Sequence, residues 1–259
     1  MFFRKFICLL MVPAFLSCGI TTQFSKEQLP RKSYLFVKKI LKLKKCQKTS
    51  CSSDTYISVG SGFVIKKTAL GSFALTAAHV CENGVEETEE LKVSGTIKVQ
   101  TLDGRYYKAE ILSKDREIDV CLLFVEDLVE GIEEVTIADE APREGDKVIN
   151  IASPFGIHYQ NVVPIFDGRF IGRTKFKDFY TIPAAPGSSG SMIINKDGEL
   201  VGLLHSVFIG MNQIVVSVNY EALKQFIKRN MINIYPQRKR KYEEETFLRY
   251  YQKISAEAK

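Results

Sequence analysis

The sequence predicts an all-β protein, an antiparallel sandwich or barrel closed by a C-terminal helix. Three observations lead there. Short apolar runs recur at strand length, Gly, Asp and Ser punctuate them, and a helical spacing of apolar residues appears only near the end. The first-half runs are Tyr34 to Ile40, Tyr56 to Ile65, Phe73 to Ala77, Thr96 to Thr101, Tyr106 to Leu112, Asp119 to Val125 and Lys147 to Ala152. Leu102-Asp-Gly-Arg105 carries the Asp-Gly pair that favours a tight hairpin. The second half continues with Val162 to Ile165, Arg169 to Gly172, Phe179 to Ile182, Ser191 to Ile194, Leu200 to Leu204 and Ile214 to Val218. A helix is expected over 219–231, with Asn219 as its cap and Leu223, Phe226 and Ile227 on one face. After Pro236, Phe247, Tyr250, Tyr251 and Ile254 repeat a helical spacing behind Glu243 to Glu245, giving a charged helical tail over 236–259.

Composition narrows the class. With 259 residues, 45% hydrophobic and 25% charged, the chain is long enough to bury a full core, and 17 Gly and 8 Pro exclude a fibrous or low-complexity chain. The net charge of +6 comes with 30 acidic residues and no nucleic-acid-reading motif, so it is read as a solubility feature, with no nucleic-acid partner. No internal run is long enough to span a membrane.

The N-terminus reads as an export signal over residues 1–17. Arg4 and Lys5 precede the apolar core Phe6 to Leu16, followed by the small residues Ser17, Cys18 and Gly19. Phe15-Leu-Ser-Cys18 also resembles a bacterial lipobox, in which a lipidated Cys18 would tether the mature chain to a membrane; ordinary signal cleavage is the alternative. Export leaves Cys46, Cys51, Cys81 and Cys121, an even number suited to an oxidising compartment. Cys46 and Cys51 read as a loop staple or a tie to Cys81. Cys121, inside an apolar run, reads as a buried free thiol. Zinc is disfavoured because no second Cys/His pair stands at ligand spacing.

Three separated motifs carry the chemistry. Histidine is scarce, with only His79, His158 and His205 as bases near neutral pH. His79 ends Phe73-Ala-Leu-Thr-Ala-Ala-His79, where two alanines let an imidazole pack on backbone and still face a cleft. Asp119, wedged between Ile118 and Val120, needs a hydrogen-bonding partner to remain ionised there, and His79 supplies one. Asp115, in a polar stretch, is expected to be solvated. Pro186-Gly-Ser-Ser-Gly-Ser191 places Ser189 on a tight glycine-flanked turn, the arrangement an oxyanion hole requires. His79, Asp119 and Ser189 follow in that order, 40 and 70 residues apart.

These segments resemble the signature segments of trypsin-like (chymotrypsin-fold) serine proteases, most closely the HtrA/Deg branch. Ser61-Gly-Phe-Val-Ile65, Ala152-Ser-Pro-Phe-Gly156 and Lys196-Asp-Gly-Glu-Leu-Val-Gly202 fall in the same order as in that branch. The resemblance implies a double antiparallel β-barrel over 34–235, with barrels at about 34–137 and 142–218 and the active site between them. It implies Ser189 as nucleophile, His79 as base and then acid, Asp119 as orienter, and the backbone N–H groups of Gly187, Ser188 and Ser189 around the oxyanion hole. An acyl-enzyme endopeptidase acting on proteins or peptides follows, with no metal or organic cofactor. The segment after Ile234 is too short for the PDZ domain of that branch, so a stand-alone protease is expected. Ser188 replaces the acid with which digestive trypsins bind a freed N-terminus, so the site is expected to form without a zymogen switch. The substrate pocket is expected from Pro183, Ala184, Ala185, Leu204, His205 and Ser206. Pro183 argues against a pocket for Lys or Arg. His205 resembles the pocket histidine of glutamyl endopeptidases but falls one residue later, and is read as a wall residue; His158 is read as a loop residue. The rival reading is a catalytically silent binding module on the same fold.

Overall fold

All but one of the apolar runs become strands of two closed six-stranded barrels, built entirely from antiparallel neighbours; the run Val162 to Ile165 is a connection in which only Ile165 joins a strand, the one that continues through Arg169 to Gly172. The computed structural model describes residues 29–47, 50–208 and 210–257; the leader over 1–17 and Cys18 lie outside the described residues. The first barrel contains β1 (Tyr34–Gln47), β2 (Ser50–Thr68), β3 (Gly71–Thr76), β4 (Leu91–Thr101), β5 (Tyr106–Asp115) and β6 (Val120–Glu126), in the order β1-β2-β3-β6-β5-β4. A four-residue helix, α1 (Ala78–Cys81), follows β3. The second barrel contains β7 (Lys147–Ile151), β8 (Ile165–Arg173), β9 (Lys177–Tyr180), β10 (Met192–Ile194), β11 (Leu200–Phe208) and β12 (Met211–Val218), in the order β10-β11-β12-β9-β8-β7.

Several strands run beyond their apolar runs. β1 and β2 continue as a hairpin arm as far as Gln47 and Ser50, and β4 pairs with β1 out to Leu91. The arm is Lys- and Ser-rich, and backbone pairing extends it where hydrophobic burial no longer does. Cys46 and Cys51 face each other across the arm and form a disulfide. Cys121 is not a free thiol: it is bonded to Cys81. β3 pairs with β6 so that Thr76 lies opposite Cys121, and α1 then carries Cys81 back over the end of β6.

One helix, α2 (Tyr220–Glu257), runs through Pro236 instead of breaking there. Its first turn is capped by the buried carboxylate of Asp178 in β9, which accepts the Tyr220 N–H at 3.1 Å, and by Asn219 Oδ1, which accepts the Glu221 N–H. Arg173 donates to both oxygens of Asp178 at 2.7 and 2.8 Å, so that buried charge is paired. Leu223, Phe226 and Ile227 join the buried core, as their spacing predicts. Farther along, Tyr235 meets Phe73 edge-on and the Arg238 guanidinium lies 4.1 Å above the Phe124 ring. The helix therefore leaves the second barrel and packs on the outside of the first.

Candidate active site

The site is assembled at the seam of the barrels from the ends of strands. β3 closes with the buried Thr76, the buried Ala77 follows, and α1 presents His79 at once. Asp119 precedes β6 with φ of 57°, a left-handed conformation that Asp tolerates better than most residues. That bend lets one residue meet α1 three times. The Ala78 N–H donates to the Asp119 carbonyl at 3.2 Å, the His79 N–H donates to Asp119 Oδ1 at 2.9 Å, and His79 Nδ1 lies 2.8 Å from Asp119 Oδ2. The ring is thereby fixed with Nδ1 toward the carboxylate and Nε2 outward. Burial is the largest single influence on Asp119 and pushes its pKa up. The hydrogen bonds from the His79 ring and backbone, with the charges of His79 and His205, outweigh it and hold the carboxyl below its ordinary value.

Ser189 stands on the turn before β10. Gly187 (φ 100°) and Gly190 (φ 86°) flank it. A Cβ on Gly187 would lie 2.4 Å from the Ser153 carbonyl, and one on Gly190 would lie 2.2 Å from Thr76 Oγ1 and 2.3 Å from the Ser61 carbonyl. Only glycine lets this turn press into the seam. The first barrel grips it directly: the Ser61 N–H donates to the Ser189 carbonyl at 2.8 Å, and Ser61 Oγ donates to the Gly187 carbonyl at 2.9 Å. Ser61 Oγ also accepts the Ser153 N–H at 3.0 Å, and Asn150 Nδ2 holds Ser191 Oγ at 2.8 Å. Sequence reading assigned Ser61 no role. The signal was Gly60-Ser-Gly62, where a Cβ on either glycine would approach Val80 or Leu75 within 2.9 Å.

Of the three expected oxyanion donors, Ser188 is excluded. Its N–H donates to the Ala185 carbonyl at 2.9 Å, closing the turn. The N–H groups of Gly187 and Ser189 have no acceptor among the described residues.

His79 and Asp119 meet as the sequence predicts, while Ser189 is joined to them indirectly. Among the described residues its hydroxyl donates to the His205 carbonyl at 3.3 Å and not to the His79 ring. The His205 imidazole, 11% exposed, lies with Nδ1 3.6 Å from Asp119 Oδ2, too far for a hydrogen bond but within electrostatic reach. Burial chiefly lowers the His205 pKa; Lys177 and His79 act in the same direction, and Asp119 opposes them. The His205 ring thus faces the Asp119 carboxylate.

Leu204 and Ala184 are buried in the second barrel's core, because β11 turns Leu204 inward and fixes it by pairing with the turn through Gly190 and Ser191. A cleft of about 610 Å³ opens beside the His79–Asp119 pair, lined by Glu117, Ile118, Phe176, Lys177, His205 and Val218 among others. Pro183 is exposed, and Ala185 and Ser206 are half-buried. His158 is more than a loop residue: its ring stacks on Phe36 at 5.2 Å, and neither nitrogen has a hydrogen-bond partner among the described residues.

Comparison with known proteins places this geometry. A family model described as "Trypsin-like peptidase domain" matches residues 60–203. The chain is 33% identical over 163 residues to a "Probable periplasmic serine endoprotease DegP-like" of Halomonas elongata, covering 60% of this chain and 31% of that protein. It is 28% identical over 154 residues to "Periplasmic serine endoprotease DegP" of Escherichia coli K12, covering 57% and 30%. The chain therefore spans about a third of the length of the curated relatives it matches. The crystal structure of the serine endoprotease from Yersinia pestis superimposes with a TM-score of 0.59 at 17% identity, covering 82% of this chain and 67% of that one, a likeness of fold. With the two barrels, the seam and the family match together, the chain belongs to the trypsin-like peptidase domain family.

Proposed function

We propose that the chain is an exported serine endopeptidase that hydrolyses peptide bonds through an acyl-enzyme. The observation that carries this reading is the His79 ring, bound through Nδ1 to Asp119, at the same seam where Ser189 stands on a turn whose Gly187 and Ser189 N–H groups have no acceptor among the described residues. On substrate binding the Ser189 hydroxyl leaves the His205 carbonyl and passes its proton to His79 Nε2 as Oγ bonds to the peptide carbonyl carbon. The N–H groups of Gly187 and Ser189 receive the oxyanion. Collapse breaks the C–N bond, and His79 returns the proton to the departing amine. Water then repeats the sequence, with His79 as base, and releases the acid. Asp119 holds the tautomer and offsets the imidazolium charge throughout.

Export is supported by the signal-like leader, by two disulfides and by relatives named as periplasmic. Attachment through a lipidated Cys18 remains the alternative to simple cleavage, and mass analysis of the mature N-terminus distinguishes them. The activity is tested with a diverse peptide library read by mass spectrometry. The wild-type protein is expected to cut internal peptide bonds and Ser189→Ala to cut none; equal cutting by both, or none by either, overturns the reading.

A further inference from the structure

β2 does more than complete the first barrel. It pairs with β3 only from Phe63 onward, while from Ser50 to Phe63 it is paired with β1, from Gln47↔Ser50 to Tyr34↔Phe63, without a register shift. Between Ser50 and Gly62, among the described residues, no strand covers its other edge. Residues 50–58 are exposed. That edge begins at the nucleophile, since the Ser61 N–H donates to the Ser189 carbonyl and the Ser61 carbonyl accepts from Thr76 Oγ1, both on the side away from β1. Strand alternation then turns the N–H and C=O groups of Val59, Ile57, Thr55 and Ser53 to the same open side. From Ser61 to Ser53 the edge is about 26 Å long.

We propose that this open edge receives the part of a polypeptide substrate downstream of the scissile bond as an added antiparallel strand, favouring acidic residues there. The inference rests on the peptidase reading of Ser189. Direction follows from pairing: a chain leaving Ser189 and running N to C toward Ser50 is antiparallel to β2, the more stable arrangement, whereas the upstream part laid on the same edge would be parallel. Charge follows from the register. Lys38 and Lys98 face each other across β1 and β4, as do Lys44 and Lys92, and Lys42 lies between them on the same face. None of the five has an ion-pair partner among the described residues. Like charges placed opposite one another cost stability; Lys38, Lys42 and Lys44 stand about 10 Å from a strand added at the open edge, with Val59, Thr55 and Ser53 of β2 between, a span their long stems can cross toward acidic side chains. Thr55 and Ile57, opposite Lys42 and Ile40, share this face, with the Ile57 side chain 58% exposed.

The test uses quenched peptides cut at one fixed bond, with two or eight residues downstream. Extension to eight is expected to raise kcat/KM about tenfold, more with Glu than with Gln at the added positions, with the Glu advantage lost in 1 M salt. Backbone N-methylation of the longer peptide is expected to slow cleavage at alternate downstream amides only. Ile57→Pro removes an outward-facing N–H and no bond to β1, so the ratio of long to short substrate is expected to fall to about one. Failure of a fluorophosphonate to label Ser189 would defeat the peptidase reading itself. Labelled protein with no length advantage, with an advantage from upstream extension only, or with uniform sensitivity to N-methylation would overturn this inference.

Discussion

Removing the disulfide between Cys81 and Cys121 should destabilise the protein about twice as much as removing the one between Cys46 and Cys51. The first closes a loop of 40 residues and the second a loop of 5. Constraint of the unfolded chain scales with the logarithm of loop length, giving about 4 kcal/mol for the longer loop and about 2 kcal/mol for the shorter. For a domain of this size those losses correspond to melting points lowered by roughly 8–16 °C and roughly 4–8 °C. The longer cross-link also has a local consequence. Cys81 lies two residues after His79 and Cys121 two residues after Asp119, and both sulfurs are buried. The bond therefore staples the turn carrying the imidazole to the strand carrying the carboxylate. Thermal unfolding of Cys81→Ala/Cys121→Ala and of Cys46→Ser/Cys51→Ser, with kcat and KM at a temperature where both are folded, measures both effects. The buried pair is expected to lose more stability and to lower kcat more than it raises KM. A larger loss from the Cys46/Cys51 variant, or a loss below about 1 kcal/mol from the Cys81/Cys121 variant, would refute the reasoning.

Three other perturbations address separate parts of the site. His205→Ser keeps the carbonyl that receives the Ser189 hydroxyl and removes the ring from Asp119; kcat should fall about fivefold with KM unchanged, and a change confined to KM would instead make His205 a substrate contact. Ser61→Ala strips partners from the Gly187 carbonyl and the Ser153 N–H, costing roughly 2–4 kcal/mol in chemical denaturation and lowering kcat as the turn loosens; an unperturbed midpoint would contradict this. Burial lowers the pKa of His158, and chiefly burial that of His205, so the unfolded chain binds protons that the fold excludes. Stability is then full above the ordinary histidine value of about 6.5 and declines as pH falls below it; His158→Phe, which preserves an aromatic ring beside Phe36, should flatten that decline in urea titrations, and an unchanged slope would count against it.

The strand pattern and the paired residues of the site were legible in the sequence for a physical reason. Apolar runs such as Val120 to Val125 are buried along their length, so burial writes them into composition. Asp119, set at the head of such a run, signalled its need for a partner. The arm from Leu41 to Thr55 was not legible, because its pairing is made by backbone groups and its side chains are largely Lys and Ser. Nor was the Cys81–Cys121 bond, since an apolar setting suits a free thiol as well as a disulfide. The direction of His205 escaped for a related reason. Whether β11 turns it to a pocket or to Asp119 depends on strand register at the seam, which local spacing does not encode.

The most direct test of the central claim is active-site labelling with a fluorophosphonate, followed by intact mass and peptide mapping. The account predicts one adduct per chain, on Ser189, formed at least a thousandfold more slowly, on the order of the loss typical for a missing triad member, in His79→Ala. An adduct on another residue, or labelling of Ser189 at the same rate without the imidazole, would contradict it.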